Sequence, residues 1–294
     1  MNLLYFLAAK IFYSVGYFRG SYRIQTFFSK QLPLVTGRVR HPLGFSWGVS
    51  SRDSLSTYLT SCEAFTTKIV LSQAPNVDTF ICVGANRGWY PLAFGSKNKN
   101  ARIYAFECNS SIYRDLSENI SKNRNQSRLS KFAIGDHFGD SNLYMPLDGN
   151  DGMSTLYPVG KQRVDASFIE RVEVTTLDTC LKGVTTLGRV LLLMDIEGSE
   201  MKALRGAAQL LRDNSPVLII EVNPEMLEES GSSAIEIFQF LRDLDYQIYW
   251  IDERGRLELV KKDNQPPHVP NLPPHSGANY LFVKSNENWV SLFI

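Results

Sequence analysis

The sequence predicts an α/β protein built on a doubly wound, mostly parallel sheet with helices on both faces. Three observations carry that expectation. First, the apolar run Thr79-Phe80-Ile81-Cys82-Val83 ends in a tight turn holding Gly84 and Gly88, after which a helical pattern begins. Second, Arg102–Phe106 reads as the next strand and ends in Glu107. That is about 20 residues past the glycine turn, where nucleotide-binding α/β folds carry the acid that accepts ribose hydroxyls. Third, strand-like and helical runs go on alternating to residue 283, and the segments 189–194 and 217–220 are continuous apolar runs suited to buried parallel strands.

In chain order, Met1–Phe18 reads as an amphipathic helix. Leu4, Leu7, Ala8, Ile11, Val15 and Phe18 share one face, while Lys10 and Ser14 mark a narrow polar stripe. The stretch is too short for a comfortable membrane span, and no positive region precedes its apolar part, so neither a span nor a cleaved secretory signal is expected. Two readings stay open, a helix packed on the protein body and a helix lying at an anionic bilayer surface. An acid-free, Arg-containing start also fits an organellar transit peptide, although its serine content is modest. Pro33, Gly37, Pro42, Gly44 and Gly48 punctuate turns and short strands, and Ser54–Leu71 reads as one helix ending before Pro75.

From there the elements alternate. Phe80–Val83 is a strand and Gly88–Ser96 a helix that tolerates Pro91 in its first turn. Arg102–Phe106 is a strand, followed by helix Ser110–Asn123, capped by Asn109 or Ser110, and by strand Leu129–Ile134. Alternation pauses at a β-rich insertion, with Ser141–Met145, Ser154–Leu156 and Val172–Thr176 as strands and turns at Asp148-Gly149 and Asp151-Gly152. It resumes with strand Arg189–Met194, helix Ser199–Arg212, strand Val217–Ile220, helix Ile235–Leu244 and strand Tyr246–Trp250. Arg256–Val260 and Asn279–Val283 complete the sheet around a Pro-rich loop, Asn264–Ser276.

A net charge of +1 over 294 residues conceals an asymmetry. No acidic residue precedes Asp53, while Lys10, Arg19, Arg23, Lys30, Arg38, Arg40 and Arg52 make that segment +7 and leave the remainder at −6. Such a start suggests an anionic partner. No nucleic-acid-binding motif accompanies it, so none is expected as a partner. Cys62, Cys82, Cys108 and Cys180 lie far apart in no metal-like pairing and read as reduced thiols, which points to a cytoplasmic protein, peripheral at a membrane if the first helix binds one.

In open α/β sheets ligands bind outside the carboxyl ends of the strands. Those ends carry Gly84, Asn86 and Gly88, then Glu107, Asp136, Asp195 with Glu197, and Glu221. Carboxylates line the edge and phosphate-binding Lys or Arg is scarce, which argues against a pyrophosphate cofactor. The turn is also Gly-x-x-x-Gly and not the Gly-x-Gly-x-x-Gly of dinucleotide-binding dehydrogenases. An adenosine cofactor bearing a positive sulfonium, S-adenosyl-L-methionine, suits these residues.

From about Glu63 to Glu221 the chain resembles the FkbM family of S-adenosylmethionine-dependent methyltransferases. The resemblance rests on Val83-Gly84-Ala85-Asn86-Arg87-Gly88-Trp89-Tyr90, Tyr104-Ala105-Phe106-Glu107, Asn119, Ala133-Ile134-Gly135-Asp136, Thr175-Thr176-Leu177-Asp178 and Met194-Asp195-Ile196-Glu197-Gly198-Ser199-Glu200. It implies a class I, Rossmann-like sheet of seven strands with the last antiparallel, and methyl transfer, usually to a hydroxyl of a sugar, polyketide or similar acceptor. It also implies roles. Gly84, Asn86 and Gly88, beside Val83, lie at the methionine part of the cofactor, Glu107 on the ribose, Asp136 near the adenine amino group and Asp195 beside the reacting methyl. Three positions depart from the family pattern: Cys82 and Leu193 stand where an Asp and a Lys are usual, and Cys108 where a Pro is usual. Loss of the carboxylate at 82 keeps open the alternative of a catalytically inactive, methyltransferase-fold binding protein.

A neutral alcohol is a poor nucleophile, so a base or a metal should help remove its proton. The candidates are Asp195, Glu197 and Glu221, with His268 and His275 on the late loop set aside. Three carboxylates at adjacent strand ends could also hold Mg²⁺, but such residues equally serve as caps, so no metal is favoured. The expected organisation is a basic extension over residues 1–74 with its amphipathic helix, and a methyltransferase domain over 75–294. The expected partner is a small-molecule or glycan acceptor, with peripheral membrane contact through residues 1–30.

Overall fold

The computed structural model describes residues 2–15, 31–32, 34, 36–60, 63–146, 153–158, 167–252, 255–261 and 277–285. Its strands are β1 (Gly37–Arg40), β2 (Ser46–Val49), β3 (Thr79–Val83), β4 (Arg102–Phe106), β5 (Arg128–Ser130), β6 (Ala133–Ile134), β7 (Gly139–Pro146), β8 (Ser167–Thr175), β9 (Val190–Met194), β10 (Val217–Val222), β11 (Tyr246–Ile251), β12 (Leu257–Leu259) and β13 (Ala278–Lys284). Its α-helices are α1 (Asn2–Val15), α2 (Arg52–Thr60), α3 (Ala64–Gln73), α4 (Trp89–Lys97), α5 (Ser110–Lys122), α6 (Leu177–Cys180), α7 (Glu200–Arg205), α8 (Ala208–Asn214), α9 (Pro224–Glu229) and α10 (Ala234–Asp243).

The most apolar runs become the centre of the main sheet, because only strands covered on both faces can hide every side chain. All residues of β3 and β9 are buried. Successive side chains of β3 alternate between the two faces. Phe80 and Cys82 join one apolar cluster, and Ile81 and Val83 the other. The strand order is β12-β11-β13-β10-β9-β3-β4-β5. Strands β5, β4, β3, β9 and β10 run parallel, while β13 is antiparallel to both β10 and β11. The seven expected strands are present, the last of them antiparallel, and three-residue β12 adds an antiparallel edge strand. From central β3 the chain first winds outward through β4 and β5, then returns to the other side at β9. The gap between those two directions is the switch point where ligands bind in such sheets. Beside it β6, β8 and β7 form a small sheet: the expected strands Ser141–Met145 and Val172–Thr176 fall largely in β7 and β8, whereas Ser154–Leu156 makes only an isolated bridge, Thr155 to Tyr144, and the third strand is β6 from outside the insertion.

Residues before β3 pack into the same apolar cluster as Phe80 and Cys82. His41, Phe45, Trp47 and Tyr58 gather around Trp89 of α4 or one another, with ring centroids 4.9–5.5 Å apart. Burial holds the His41 imidazole neutral, with its pKa pushed down to about 3. The β1–β2 hairpin is tied to α5, because Asn119 Oδ1 accepts from Gly48 N at 3.0 Å and Asn123 Oδ1 from Ser46 N at 2.7 Å. Helix α1 packs through Tyr5 and Ala9, both fully buried, whereas Leu4, Leu7 and Ile11 of the expected apolar face point outward.

Three expected elements are each divided in two. The helix expected over 54–71 is α2 and α3, separated at Glu63, whose left-handed φ of 45° no α-helix can contain. The strand expected over 129–134 is β5 in the main sheet and β6 in the small one, so the chain changes sheets at Lys131-Phe132. The helix expected over 199–212 breaks after Arg205. Asp178 N donates to Gly206 O at 3.0 Å, and the Asp178 carboxylate accepts from Gln209 N and Leu210 N at 2.8 and 2.9 Å, capping α8. The turns at Asp148-Gly149 and Asp151-Gly152, the loop Asn264–Ser276 with His268 and His275, Cys62, and residues 16–30 lie outside the described residues. Among the described residues no helix is long and apolar enough to cross a membrane.

Candidate active site

A cavity of about 660 Å³, counting its open mouth, lies at the carboxyl ends of β3, β4 and β9. Its floor is Val83, Gly84 and Asn86, its carboxylates are Glu107, Asp195 and Glu197, and Ile112, Phe132, Leu143 and Leu156 supply an apolar wall. Among the described lining residues there is no Lys or Arg.

The glycine turn brings two strand exits together. Asp195 N donates to Val83 O at 3.1 Å, and Gly84 N donates to Phe106 O at 3.1 Å. Gly84 has φ +78°, and a Cβ there would stand 1.8 Å from the Asp195 carbonyl oxygen. Only glycine allows that approach. Asn86 also has a left-handed φ, 46°, and its amide donates to Glu107 Oε2 at 3.0 Å. Asn109 N donates to Glu107 Oε1 at 2.9 Å. Burial raises the Glu107 carboxyl to about 7, against the pull of these amides and of Arg87. Arg87 itself is buried and anchors the turn from behind, through Asp53 at 2.6 Å and Asp115 at 3.2 Å.

The second wall is the turn Asp195-Ile196-Glu197-Gly198. Glu197 is left-handed at φ 49°, a strained conformation that needs outside support. Thr155 Oγ1 of the insertion donates to Glu197 O at 2.7 Å. From within, the buried carboxylate of Glu200 accepts from Ile196 N and Gly198 N at 3.1–3.2 Å. Burial raises Glu200 to about 7.

Behind this wall, Asp195 and Glu221 share a hydrogen bond. Burial raises both carboxyls, and the charges of Asp195, Glu63 and Glu197 push Glu221 up further. Glu63 was not foreseen as a site residue. Its Oε2 accepts from Tyr90 Oη at 3.1 Å and from Asn279 Nδ2 at 2.9 Å, and burial with the Asp195 charge raises it to about 7. A Cβ on Gly277 would lie 2.3 Å from Glu221 Oε1, so the strand β13 approach is closed down on this carboxyl. Asp195, Glu197 and Glu221 offer oxygens within 4.8 Å of one another. An acidic cluster alone does not make a metal site, and we assign none.

Of the residues the sequence singled out, Val83, Gly84, Asn86, Glu107, Asp195 and Glu197 line the one cavity, and Glu221 reaches it through Asp195. Gly88 is outside the lining. It caps α4 at φ 92°, packed against Leu116. Asp136 is exposed and also outside the lining, and it bonds His137 Nδ1 at 2.9 Å, which lowers its pKa. Ser199 was not foreseen. It lines the cavity, is 2% exposed, and its Oγ has no hydrogen-bond partner. A buried hydroxyl left unpaired is costly, and such groups mark places where a ligand or water belongs.

The family departures acquire a geometric meaning. Cys82 and Leu193 are direct partners across the β3–β9 ladder, both buried in the same apolar cluster. The Asp and Lys that the family resemblance puts at these two positions would face each other, so the two departures fall on one cross-strand pair. Exchanging a buried charged pair for an apolar one is often neutral or stabilising, whereas losing one partner alone is not. Cys108 lines the cavity, and burial and the neighbouring Glu107 carboxylate raise its thiol far above the usual range.

The profile of the Methyltransferase FkbM domain matches residues 83–248, more than half of the chain. No curated protein matches the sequence. Among solved structures the chain is similar to methyltransferase FkbM from Methylobacillus flagellatus, at 15% identity and TM-score 0.42 over 79% of this chain, and it spans only 53% of that one. It is also similar to precorrin-6y C5,15-methyltransferase from Geobacter metallireducens (14% identity, TM-score 0.40, 74% of this chain and 87% of that one). A third is an rRNA methylase from Streptococcus thermophilus (10%, 0.40, 74% and 94%).

Proposed function

Because the chain belongs to the FkbM methyltransferase family, we propose that it O-methylates a hydroxyl of a sugar, glycan or similar small acceptor. S-adenosylmethionine is the methyl donor of this family. When bound, it supplies a methyl group on a positively charged sulfur, open to in-line attack. The residues fit it: a cavity whose described lining holds three carboxylates and no Lys or Arg, a glycine floor that a Cβ would obstruct, and an unpaired buried hydroxyl on the wall. In this reading Glu107 accepts from the ribose hydroxyls, Val83, Gly84 and Asn86 face the methionine part, and Asp136 and Gly88 act from outside the lining.

The observation that carries the chemistry is the Asp195–Glu221 pair. Glu221 keeps the shared proton and orients Asp195. Asp195 carries the charge and accepts the proton of the acceptor hydroxyl. Burial raises its carboxyl above the usual aspartate range, which makes it a stronger base. Glu197 flanks it as a third candidate. A base of this kind makes Mg²⁺ unnecessary. Peripheral membrane contact through residues 1–30 belongs to the same reading, since a lipid-linked glycan would be met at such a surface.

The test is transfer of labelled methyl from S-adenosylmethionine to a panel of free, nucleotide-linked and lipid-linked sugars, read by mass. The expected result is a methyl ether on one hydroxyl, with Asp195→Asn slowing turnover by about 10²–10⁴ while S-adenosylhomocysteine still binds. Binding without transfer to any acceptor would favour the inactive binding protein.

A further inference from the structure

We propose that the outer face of α1 lies on an anionic bilayer surface. This deepens the partner reading above by naming the surface that makes the contact, and it does not depend on methyl transfer. The helix is fixed to the body by Tyr5 and Ala9, which are fully buried. The opposite side leaves Leu3, Leu4, Leu7 and Ile11 exposed by 69%, 51%, 46% and 58%. Leu3, Leu7 and Ile11 follow at intervals of four with Leu4 alongside, so on a helix they form one continuous ridge.

The packing of α1 therefore does not use this ridge, although it is the apolar stripe most legible in the sequence. Scattered exposed aliphatics need no explanation, but a contiguous ridge marks an interaction surface. The charge of the segment that carries it says which kind. The sequence has no acidic residue before Asp53 and seven Lys or Arg in that stretch, and Lys10 is exposed on the helix beside the ridge. A groove on another protein would account for the aliphatics alone, whereas anionic lipid accounts for both the aliphatics and the one-signed charge. The described helix, 14 residues and about 21 Å long, is shorter than a bilayer span and has the length of one lying in its surface.

The experiment is co-sedimentation of the full chain with phosphatidylcholine vesicles, and with vesicles in which about one-third of the lipid is phosphatidylserine. We expect binding to the anionic vesicles only. It should fall about fivefold for Lys10→Gln, by the contribution of one basic residue near such a surface. The triple variant Leu3→Ser, Leu7→Ser, Ile11→Ser should lose at least about tenfold. These side chains are exposed, so the variant should melt with the wild type. Absence of binding, equal binding to both lipids, or unchanged binding by the triple variant would overturn the proposal. So would a concentration-dependent dimer abolished by the triple variant, which would assign the ridge to a second copy. No methyl donor is present in this assay, so its failure leaves the catalytic reading standing, and the reverse holds.

Discussion

The two glycines of the turn look equivalent in the sequence, yet the structure separates them. Consider Gly84→Ala beside Gly88→Ala. Both residues have a left-handed φ, +78° and +92°, which costs an alanine about 1–2 kcal/mol. There the likeness ends. At 88 the new methyl meets Leu116 Cδ1 at 2.8 Å, the far end of a side chain that can rotate away. At 84 it meets the Asp195 carbonyl oxygen at 1.8 Å, a backbone atom. That carbonyl must retreat by about 1.2 Å in a close-packed interior, and it cannot move without opening the β3–β9 exit. Overpacking of this kind adds about 1–3 kcal/mol. Gly84→Ala should therefore lose about 2–5 kcal/mol, a large share of the stability of a typical domain, and Gly88→Ala about 1–2 kcal/mol. Urea denaturation gives the stabilities, and titration with S-adenosylhomocysteine gives the site. Gly84→Ala should abolish binding, and Gly88→Ala should keep most of it. Equal losses in the two variants, or normal binding by Gly84→Ala, would refute the close approach.

Ser199→Ala removes a buried hydroxyl that has no partner, so the free protein should melt at the same temperature or higher while S-adenosylhomocysteine binds about 3–10-fold more weakly; a lower melting point with unchanged affinity would show that Ser199 serves packing instead. Glu107 is raised to about 7 and so is protonated below that pH, and a protonated carboxyl loses acceptor strength toward hydroxyls. Affinity for S-adenosylhomocysteine, measured by calorimetry, should thus be level above pH 7 and weaken by about tenfold per unit below it, and Glu107→Gln should flatten that slope. Cys82→Asp should cost about 3–5 kcal/mol by burying a lone charge, and adding Leu193→Lys should recover most of the loss in a denaturation cycle. Additive losses would mean that the two positions do not act as a pair.

Much of this was legible because it follows from local rules. Continuous apolar runs foretold β3, β9 and β10, and the switch point follows once strand and helix alternate. The glycine turn and Glu107 foretold where the cavity would open. What stayed hidden depends on three-dimensional contacts that no local pattern encodes. Asp178 looks like a strand-end acid, yet it caps α8 and so divides a helix that periodicity runs together. Glu63 sat inside a helical pattern, and only its partners Tyr90 and Asn279, the latter 216 residues away, make a left-handed break there intelligible. Ser199 carries no sequence signal, because an unpaired hydroxyl is defined by what fails to surround it. Asp136 matched a family position, but the described structure leaves it exposed beside His137.

The central claim is that this cavity binds S-adenosylmethionine through Glu107. Calorimetric titration of the wild type and of Glu107→Ala with S-adenosylhomocysteine addresses it most directly. Loss of a carboxylate that accepts charge-assisted hydrogen bonds is worth about 1.5–3 kcal/mol. The account predicts micromolar binding by the wild type, weakened about 10–100-fold in the variant. Wild-type protein that does not bind, or a variant that binds as tightly, would contradict it.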